Sequence, residues 1–292
     1  MNTRFSSGSE LGLAGGGRQP AASARRPDQS GLFFLVGLLL WSIQLVCVSA
    51  APSEEAAEEL ELRAGGIVRG PRSVKRLALV FTGHSFAEGG EVILNELARH
   101  QAKGSFFFTG DFLANTNFRP LLERLVRSGH YLGPHSDKHL LYCSWDSPQS
   151  NLVSCAEFRS DLEQNLRKLE NLGVSRSQVR FFLPPYEHYN RQIVQWSLEL
   201  GLTLVNFTPG TRAAADYTGE ADKNFVSSKV IFDSIIAKEQ QDPYGLNGFL
   251  LLLHIGSGPG RADKFHARFG ELLDYLAGKN YQLVRVDELL RK

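Results

Sequence analysis

The amino-acid sequence predicts an α/β protein in which helices cover both faces of a parallel sheet. Short, almost continuously apolar runs alternate with stretches that carry apolar residues at helical spacing, from residue 76 to the end of the chain. Strands buried on both faces have this pattern, whereas strands with one solvent-exposed face alternate apolar and polar residues. About seven strand–helix units follow one another without a break, which favours a (β/α) barrel over an open sheet.

The first unit shows the pattern most clearly. Residues 76–83 (RLALVFTG) form one apolar run, and the next segment carries Val92, Leu94, Leu97 and Ala98 at helical spacing. The other predicted strands are 104–110, 131–136, 179–184, 202–207, 248–256 and 281–288. The other predicted helices are 118–129, 158–173, 190–201, 226–238 and 263–278.

Composition and charge exclude several classes of function. The chain has 292 residues, of which 42% are hydrophobic and 22% charged, a globular composition with room for a large core. Lys and Arg total 32 against 31 Asp and Glu, so the basic surface that binds nucleic acid is not expected. The segment after the first strand, FTGHSFAEGG, has no dinucleotide or phosphate-loop pattern, which disfavours an enzyme that uses NAD or a nucleotide.

The first fifty residues have the pattern of an export signal. Arg18, Arg25 and Arg26 precede an uncharged apolar run that ends in small residues. We expect residues 1–50 to be a cleaved signal peptide, or an uncleaved anchor that contacts the membrane, because the run is long enough to span a bilayer. Residues 51–74 are expected to be a tether and 75–292 the catalytic domain, secreted or held in the periplasm or cell envelope.

Histidines gather where the predicted strands end. Four strand ends carry five of the eight histidines, and a (β/α) barrel builds its active site at that end. His135 and His139 are four residues apart, so one helical turn would present both imidazoles to one metal; a surface pair beside Lys138 is the alternative. His84 can supply a third nitrogen and leave one position open for water.

Two more residues are candidates for proton transfer. His254 follows four leucines and is either a general acid at the cavity rim or a buried, hydrogen-bonded core histidine. Glu187 follows Pro-Pro-Tyr and is either a general base or an ordinary exposed carboxylate. Asp111 and Asp137 are weaker candidates for the base.

Four motifs resemble those of the polysaccharide deacetylases, the NodB-homology domain of carbohydrate esterase family 4. LVFTGH, HSDKH, FLPPYE and LLLHIG occur in the order and rough spacing of that family's motifs, over residues 76–290. The resemblance implies a distorted (β/α)7 barrel and metal-dependent hydrolysis of N- or O-acetyl groups on sugar polymers. It also implies that His135 and His139 bind the metal, that His254 is the acid, and that the backbone amide near Tyr186 stabilises the oxyanion.

The chain departs from that family's pattern in two matched ways. The first family motif, TFDDG, supplies a base and a metal ligand, and here FTGH carries neither carboxylate. Leu183 replaces the arginine that orients the base. We infer a remodelled site in which His84 joins His135 and His139 on one divalent metal, and Glu187 serves as the base. Zn²⁺ is the expected ion, with Co²⁺ and Ni²⁺ as alternatives.

The predicted function is that of an exported, metal-dependent deacetylase acting on N-acetyl (or O-acetyl) groups of a carbohydrate. Asp111 is expected beside the substrate, and Arg212 and Asp216 at the cleft rim or in solvated ion pairs. The alternatives are a non-catalytic carbohydrate-binding barrel and a metal-dependent amidase or esterase for a small molecule. Cys143 and Cys155 form a disulfide or remain two thiols. The oligomeric state is left open.

Overall fold

The computed structural model describes residues 59–291. The predicted signal peptide or anchor, 1–50, and the first part of the predicted tether lie outside the described residues. Within 59–291, no helix has the length and apolar character needed to cross a bilayer.

Nine strands and eight α-helices make up the described residues. The strands are β1 (Glu61–Arg63), β2 (Gly66–Arg69), β3 (Arg76–Gly83), β4 (Ser105–Phe108), β5 (Tyr131–Pro134), β6 (Phe181–Phe182), β7 (Thr203–Leu204), β8 (Leu250–His254) and β9 (Gln282–Leu283). The helices are α1 (Gly90–Arg99), α2 (Gly110–Ala114), α3 (Arg119–Arg127), α4 (Cys155–Asn171), α5 (Arg191–Glu199), α6 (Ser228–Gln241), α7 (Phe269–Gly278) and α8 (Val286–Leu289).

A parallel sheet with β3 near its centre organises the fold. Its strand order is β5-β4-β3-β8, and β9 pairs with the first residues of β3. The β6–β7 pair is also parallel. Leu183 N donates to Pro134 O beside β5 at 3.3 Å, and Thr208 N donates to Leu250 O beside β8 at 3.0 Å. The β6–β7 segments therefore lie between the two outer strands of the main sheet, although strand pairing among the described residues does not close a continuous ring.

The apolar runs become strands because both of their faces are covered. Every residue of β3 after Arg76 is buried, and β8 is buried up to His254. Phe81 of β3 stacks on Phe106 of β4 with ring centroids 4.8 Å apart. The predicted α/β class with a helix-covered parallel sheet is confirmed. The carboxyl ends of β3 and β8 come side by side, since Thr82 pairs with His254 in the register.

The folded part begins earlier than residue 75, the expected boundary. β1 and β2 form an antiparallel hairpin within the predicted tether, and β2 is buried. Asn206 N donates to Ile67 O at 2.8 Å, and the Arg69 side chain forms a buried ion pair with Asp242 at 3.0 Å. β2 is too short to show a periodicity in the sequence, and its partners come from distant parts of the chain.

The end of the chain also differs from the prediction. The strand expected over 281–288 covers only Gln282–Leu283, and Val286–Leu289 form α8. Arg285 N donates to Glu288 Oε2 at 3.2 Å, which caps the start of that short helix. A local capping signal therefore outweighs the apolar pattern of the segment.

Candidate active site

The predicted functional residues surround one cavity of about 410 Å³ at the carboxyl ends of the parallel strands. Its wall includes the three candidate metal ligands, both candidate proton-transfer residues and Tyr186. These are His84, His135, His139, Tyr186, Glu187 and His254. The sheet order brings them together because β3, β5 and β8 all end on this side.

His135 and His139 are brought together by an irregular turn, not by the helical turn that their spacing predicted. Their ring centroids lie 5.2 Å apart with a tilt of 56°. Ser136 (φ 73°) and His139 (φ 54°) adopt left-handed conformations, which end any helical path. The predicted proximity of the two rings is therefore present, and its predicted cause is wrong.

Side chains of helix α4 form hydrogen bonds with the backbone of the His135–His139 turn. Asp161 accepts hydrogen bonds from Asp137 N and Lys138 N at 3.0 Å each, and from the Tyr142 hydroxyl at 2.6 Å. Asn165 Nδ2 donates to Ser136 O at 2.5 Å. Sequence reasoning missed both α4 residues. Two polar residues one turn apart on the buried face of an amphipathic helix are the signal that could have found them.

His84 takes a different position from the other two histidines. Its ring is stacked on that of His139, with centroids 4.7 Å apart and planes 14° from parallel. Its Nδ1 lies 3.1 Å from Thr109 Oγ1, the hydroxyl that also caps α2 by accepting from Phe112 N. His84 is exposed, whereas His135 is buried.

The donor chemistry of the cluster suits a divalent metal. Burial lowers the pKa of His135 well below its usual value and that of His139 to about 4, and the neighbouring histidines add to both effects. Both rings are therefore neutral near pH 7, the state in which imidazole binds metals. His135 Nδ1 lies 2.8 Å from Leu183 O, and because a carbonyl only accepts, the proton is on Nδ1 and the lone pair on Nε2.

The arrangement of His84 does not suit a shared ion. A metal bound by imidazole lies in the plane of the ring, and two nearly parallel stacked rings have no such point in common. Within residues 59–291, no three His, Cys, Asp or Glu side chains are arranged to hold a metal ion. His84 would have to turn off the face of His139 before it could join His135 as a ligand.

His254 is held by Asp216, a residue that the sequence predicted at the cleft rim or in a solvated ion pair. Asp216 accepts from His254 Nδ1 at 2.6 Å and from His254 N at 2.9 Å, and it is only 5% exposed. Burial lowers the pKa of His254, but the Asp216 and Glu187 carboxylates outweigh it and raise the pKa above its usual value. The imidazole is thus oriented, and its protonated form is favoured, as suits a general acid.

Glu187 also lines the cavity, on the turn after Pro184-Pro185. Burial raises its pKa to about 7, with a further increase from Asp216 and an opposing effect from His254. A carboxyl group with this pKa is a far stronger proton acceptor than an ordinary glutamate. Tyr186, beside it, packs its ring against His139 with centroids 4.4 Å apart.

Three other predicted residues lie away from this centre. Asp111 is exposed and ion-paired with Lys138, so it does not line the cavity as expected. Arg212 is also exposed, and its backbone N donates to Ser234 Oγ on α6 at 2.8 Å. Asp137 is buried against Lys168 Nζ at 2.6 Å. Asp137 is not among the residues that line the cavity.

The cavity rim carries exposed aromatic faces. Trp145 is 57% exposed and stacks on His188 with centroids 3.8 Å apart. Tyr217 packs against His254 at 4.8 Å, and Phe86 also lines the opening. Flat apolar faces of this kind can pack on the rings of a ligand.

The two cysteines near this rim are not bridged. Cys143 is buried, Cys155 is half-buried, and both are free thiols. Arg159 Nε donates to Cys155 Sγ at 3.3 Å. Of the two states that the sequence allowed, the structure has the unpaired one.

Comparison with known proteins agrees with the motifs and the fold. Residues 69–205 of the chain match the polysaccharide deacetylase family. The peptidoglycan-N-acetylglucosamine deacetylase PgdA of Listeria monocytogenes is 24% identical over 220 residues, which cover 74% of this chain and 39% of that protein. The chain spans about two fifths of the length of this curated relative.

Solved structures of carbohydrate esterase family 4 proteins have the same fold. PdaA of Bacillus subtilis, a family 4 carbohydrate esterase, aligns with a TM-score of 0.61 and 18% identity, covering 77% of this chain and 85% of that one. A CE4 family pseudoenzyme from Bacillus anthracis aligns with a TM-score of 0.60 and 19% identity, covering 78% and 70%. The predicted NodB-type α/β fold is thereby confirmed. Deacetylases of this family are generally metal-dependent.

Proposed function

We propose that this protein is a carbohydrate deacetylase that hydrolyses the N-acetyl group of an amino sugar in a polysaccharide or oligosaccharide, with O-acetyl groups as the alternative substrate. The observation that carries the proposal is that Glu187 and the Asp216-bound His254 line the same cavity. Their environments favour a proton acceptor on one side and a proton donor on the other. Hydrolysis of an amide needs both.

In the proposed reaction Glu187 takes a proton from water as the water oxygen attacks the acetyl carbonyl. The carbonyl oxygen becomes negatively charged, and we assign its stabilisation to the backbone amide of Tyr186. The neighbouring amides, Glu187 N and His188 N, are already bonded to Pro184 O and Pro185 O. A hydrogen-bond donor that is fixed in place before the charge develops stabilises the oxyanion without further rearrangement.

His254 then protonates the departing nitrogen as the C–N bond breaks. Its Nδ1 is bonded to Asp216 at 2.6 Å, which leaves Nε2 for the substrate. The products are acetate and a free amine. Asp216 stabilises the charged imidazole before transfer and orients it throughout.

The divalent metal predicted from the sequence, Zn²⁺ first and Co²⁺ or Ni²⁺ next, remains a proposal. His135 and His139 are neutral, adjacent nitrogen donors that could hold it, and rotation of His84 off His139 would supply the third ligand. When bound, such an ion polarises the acetyl carbonyl and makes a nearby water more acidic. Imidazole in place of a carboxylate ligand would leave the ion's positive charge less neutralised.

We propose a cell-wall or other extracellular glycan as the substrate class. The aromatic rim formed by Trp145, Tyr217 and Phe86 suits pyranose rings, and the Listeria relative is named for its action on peptidoglycan. A secreted or envelope location follows from the predicted export signal over 1–50. Contact with a membrane is proposed only for an uncleaved signal.

Acetate release from N-acetylglucosamine oligomers, with and without added zinc, tests the proposal. Glu187→Gln should lower the rate about 100-fold or more, because Gln cannot accept the proton. Asp111→Asn is the matched control, since Asp111 is a carboxylate outside the cavity, and it should retain the rate. Full activity in Glu187→Gln would remove Glu187 from the mechanism.

A non-catalytic carbohydrate-binding role is the second candidate. It is favoured by the stacking of His84 on His139, and one structural relative is a pseudoenzyme. Oligomer binding without acetate release, even with zinc supplied, would establish it. Cleavage of a small acetylated molecule but not of oligomers would instead identify a small-molecule amidase or esterase.

A further inference from the structure

The Tyr186–Glu187 turn has a backbone conformation that its residue types do not favour. φ is +59° at Tyr186 and +53° at Glu187, so two successive residues with a Cβ atom occupy the left-handed region. That region brings Cβ too close to the carbonyl oxygen, and residues other than Gly, Asn and Asp rarely enter it. A conformation of this kind persists only where the surrounding contacts hold it in place.

Asn206 holds the turn from the side of β2. Its Nδ2 donates to Glu187 O at 2.7 Å, and its Oδ1 accepts from Phe207 N at 2.7 Å. Its own backbone N donates to Ile67 O at 2.8 Å, and the residue is only 7% exposed. The side-chain amide is therefore fixed to a buried strand before it reaches the carbonyl of Glu187.

His188 holds the turn from the other side of the rim. Its Nε2 lies 3.0 Å from Ser144 O, and since a carbonyl only accepts, the ring donates. The same ring stacks on Trp145 with centroids 3.8 Å apart and planes 23° from parallel. The His188 ring, directly after Glu187 in the chain, is thus fixed by a hydrogen bond at its edge and by ring stacking on its face.

A relaxed turn would have an alternative place for the carboxylate. Glu187 lines the catalytic cavity, and it also lines a smaller cavity of about 240 Å³ together with Tyr189 and Asn206. A change from left-handed to ordinary backbone angles redirects the Cα–Cβ bond. In that state the carboxylate can leave the side of the cavity that contains His254.

We propose that Asn206 and His188 are positioning residues that keep the Glu187 carboxylate in the catalytic cavity. The inference rests on the proposed function, in which Glu187 is the base. Neither residue touches the reacting atoms, and both act through the backbone of the turn. Their loss should lower kcat and leave KM nearly unchanged, because the carboxylate is needed for proton transfer more than for substrate binding.

Asn206→Asp tests this with little change of shape. Asp retains the oxygen that accepts from Phe207 N and loses the amide donor to Glu187 O. We expect kcat for acetate release to fall about 10- to 100-fold, with KM within about threefold. His188→Phe, which keeps a ring to stack on Trp145 but has no donor for Ser144 O, should give a smaller loss in kcat.

Thr208→Val is the matched control. Thr208 is two residues further along the same segment, and its hydroxyl bonds Val68 O and accepts from Leu250 N at 2.9 Å. It ties the segment to β2 and β8 without touching Glu187. A fall in kcat as large as that of Asn206→Asp would mean that general loosening of this segment is responsible, and would overturn the proposal.

A crystal structure of Asn206→Asp gives a readout that does not depend on activity. The expected result is a turn that has left the left-handed region, or a Glu187 side chain in the smaller cavity. An unchanged turn would overturn the proposal whatever the kinetics. If the unmodified protein releases no acetate, or Glu187→Gln remains fully active, the proposed function fails instead, and the crystal structure still decides whether Asn206 holds the turn.

Discussion

His254 and His84 line the same cavity but are held in opposite ways. His254 donates two hydrogen bonds to one buried carboxylate, Asp216, at 2.6 and 2.9 Å. His84 is exposed, has Thr109 as a polar neighbour, and lies flat against His139. One side of the cavity is therefore ordered for proton transfer by buried polar contacts, whereas the imidazole cluster on the other side needs a rearrangement to hold an ion. The four predictions below test this contrast.

Asp216→Asn should have the largest effect. It removes the charge that raises the pKa of His254 while keeping a similar shape, so the imidazole would be less protonated and less well oriented. We expect a loss in kcat of about 100-fold or more, measured as acetate release. Asp233→Asn, an exposed carboxylate on α6 that pairs with Lys229, is the control. A loss below about threefold in Asp216→Asn would mean that the His254 side is not the ordered proton donor.

Metal content should separate the three histidines. We expect elemental analysis to find about one zinc per chain, absent in His135→Ala because that buried ring is a central donor of the cluster. His84→Ala should weaken zinc affinity by about tenfold or more if His84 turns to join the site. Unchanged affinity in His84→Ala would restrict the site to His135 and His139. No zinc in the unmodified protein would favour the non-catalytic candidate.

Glu187 should make activity and stability depend on pH in opposite directions. Its pKa is raised from 4.5 to about 7 in the folded state, so the base becomes available, and the rate rises, as pH increases through about 7. The folded state binds the proton more tightly than the unfolded state. Burial of this carboxyl therefore does not reduce the free energy of unfolding below pH 4.5, and it reduces that free energy most above about pH 7. Glu187→Gln should therefore raise the thermal midpoint at pH 8 and not at pH 4.

The rate and the thermal midpoint should be measured on the same preparations. Stabilisation of about 1 kcal/mol would raise the midpoint by about 2–4 °C for a domain of this size. An equal shift at both pH values would contradict a raised pKa at Glu187. Glu199→Gln, an exposed residue of α5 paired with Arg159, is a control without a buried carboxyl.

Tyr142→Phe tests how α4 supports the His135–His139 turn. It removes the 2.6 Å hydrogen bond to Asp161 below the His135–His139 turn and leaves the two backbone contacts of Asp161 in place. Hydrogen bonds to charged groups contribute about 1.5–3 kcal/mol, so denaturant unfolding should show a loss in that range. Tyr244→Phe, on a loop remote from the cavity, is a comparison for the loss of a tyrosine hydroxyl. A loss below about 0.5 kcal/mol would mean that α4 holds the turn by its backbone contacts alone.

The sequence by itself determined the central parallel strands, the long helices and the set of histidines at one end of the sheet. Apolar runs and helical spacing are local properties, and parallel strands place their carboxyl ends together. The motifs around His84, His135, Glu187 and His254 were sufficient to predict the resemblance to the polysaccharide deacetylases.

Only the tertiary structure decided which polar groups meet. Asp216 and His254 are 38 residues apart, and Asn206 and Glu187 are 19 apart, so no local pattern links them. The hairpin at 61–69 lies in the segment predicted to be a tether, since its packing partners are in distant strands that no local pattern reveals. The stack of His84 on His139 depends on side-chain orientation, which residue spacing does not specify. Packing of distant segments, rather than local propensity, sets the chemistry of this cavity.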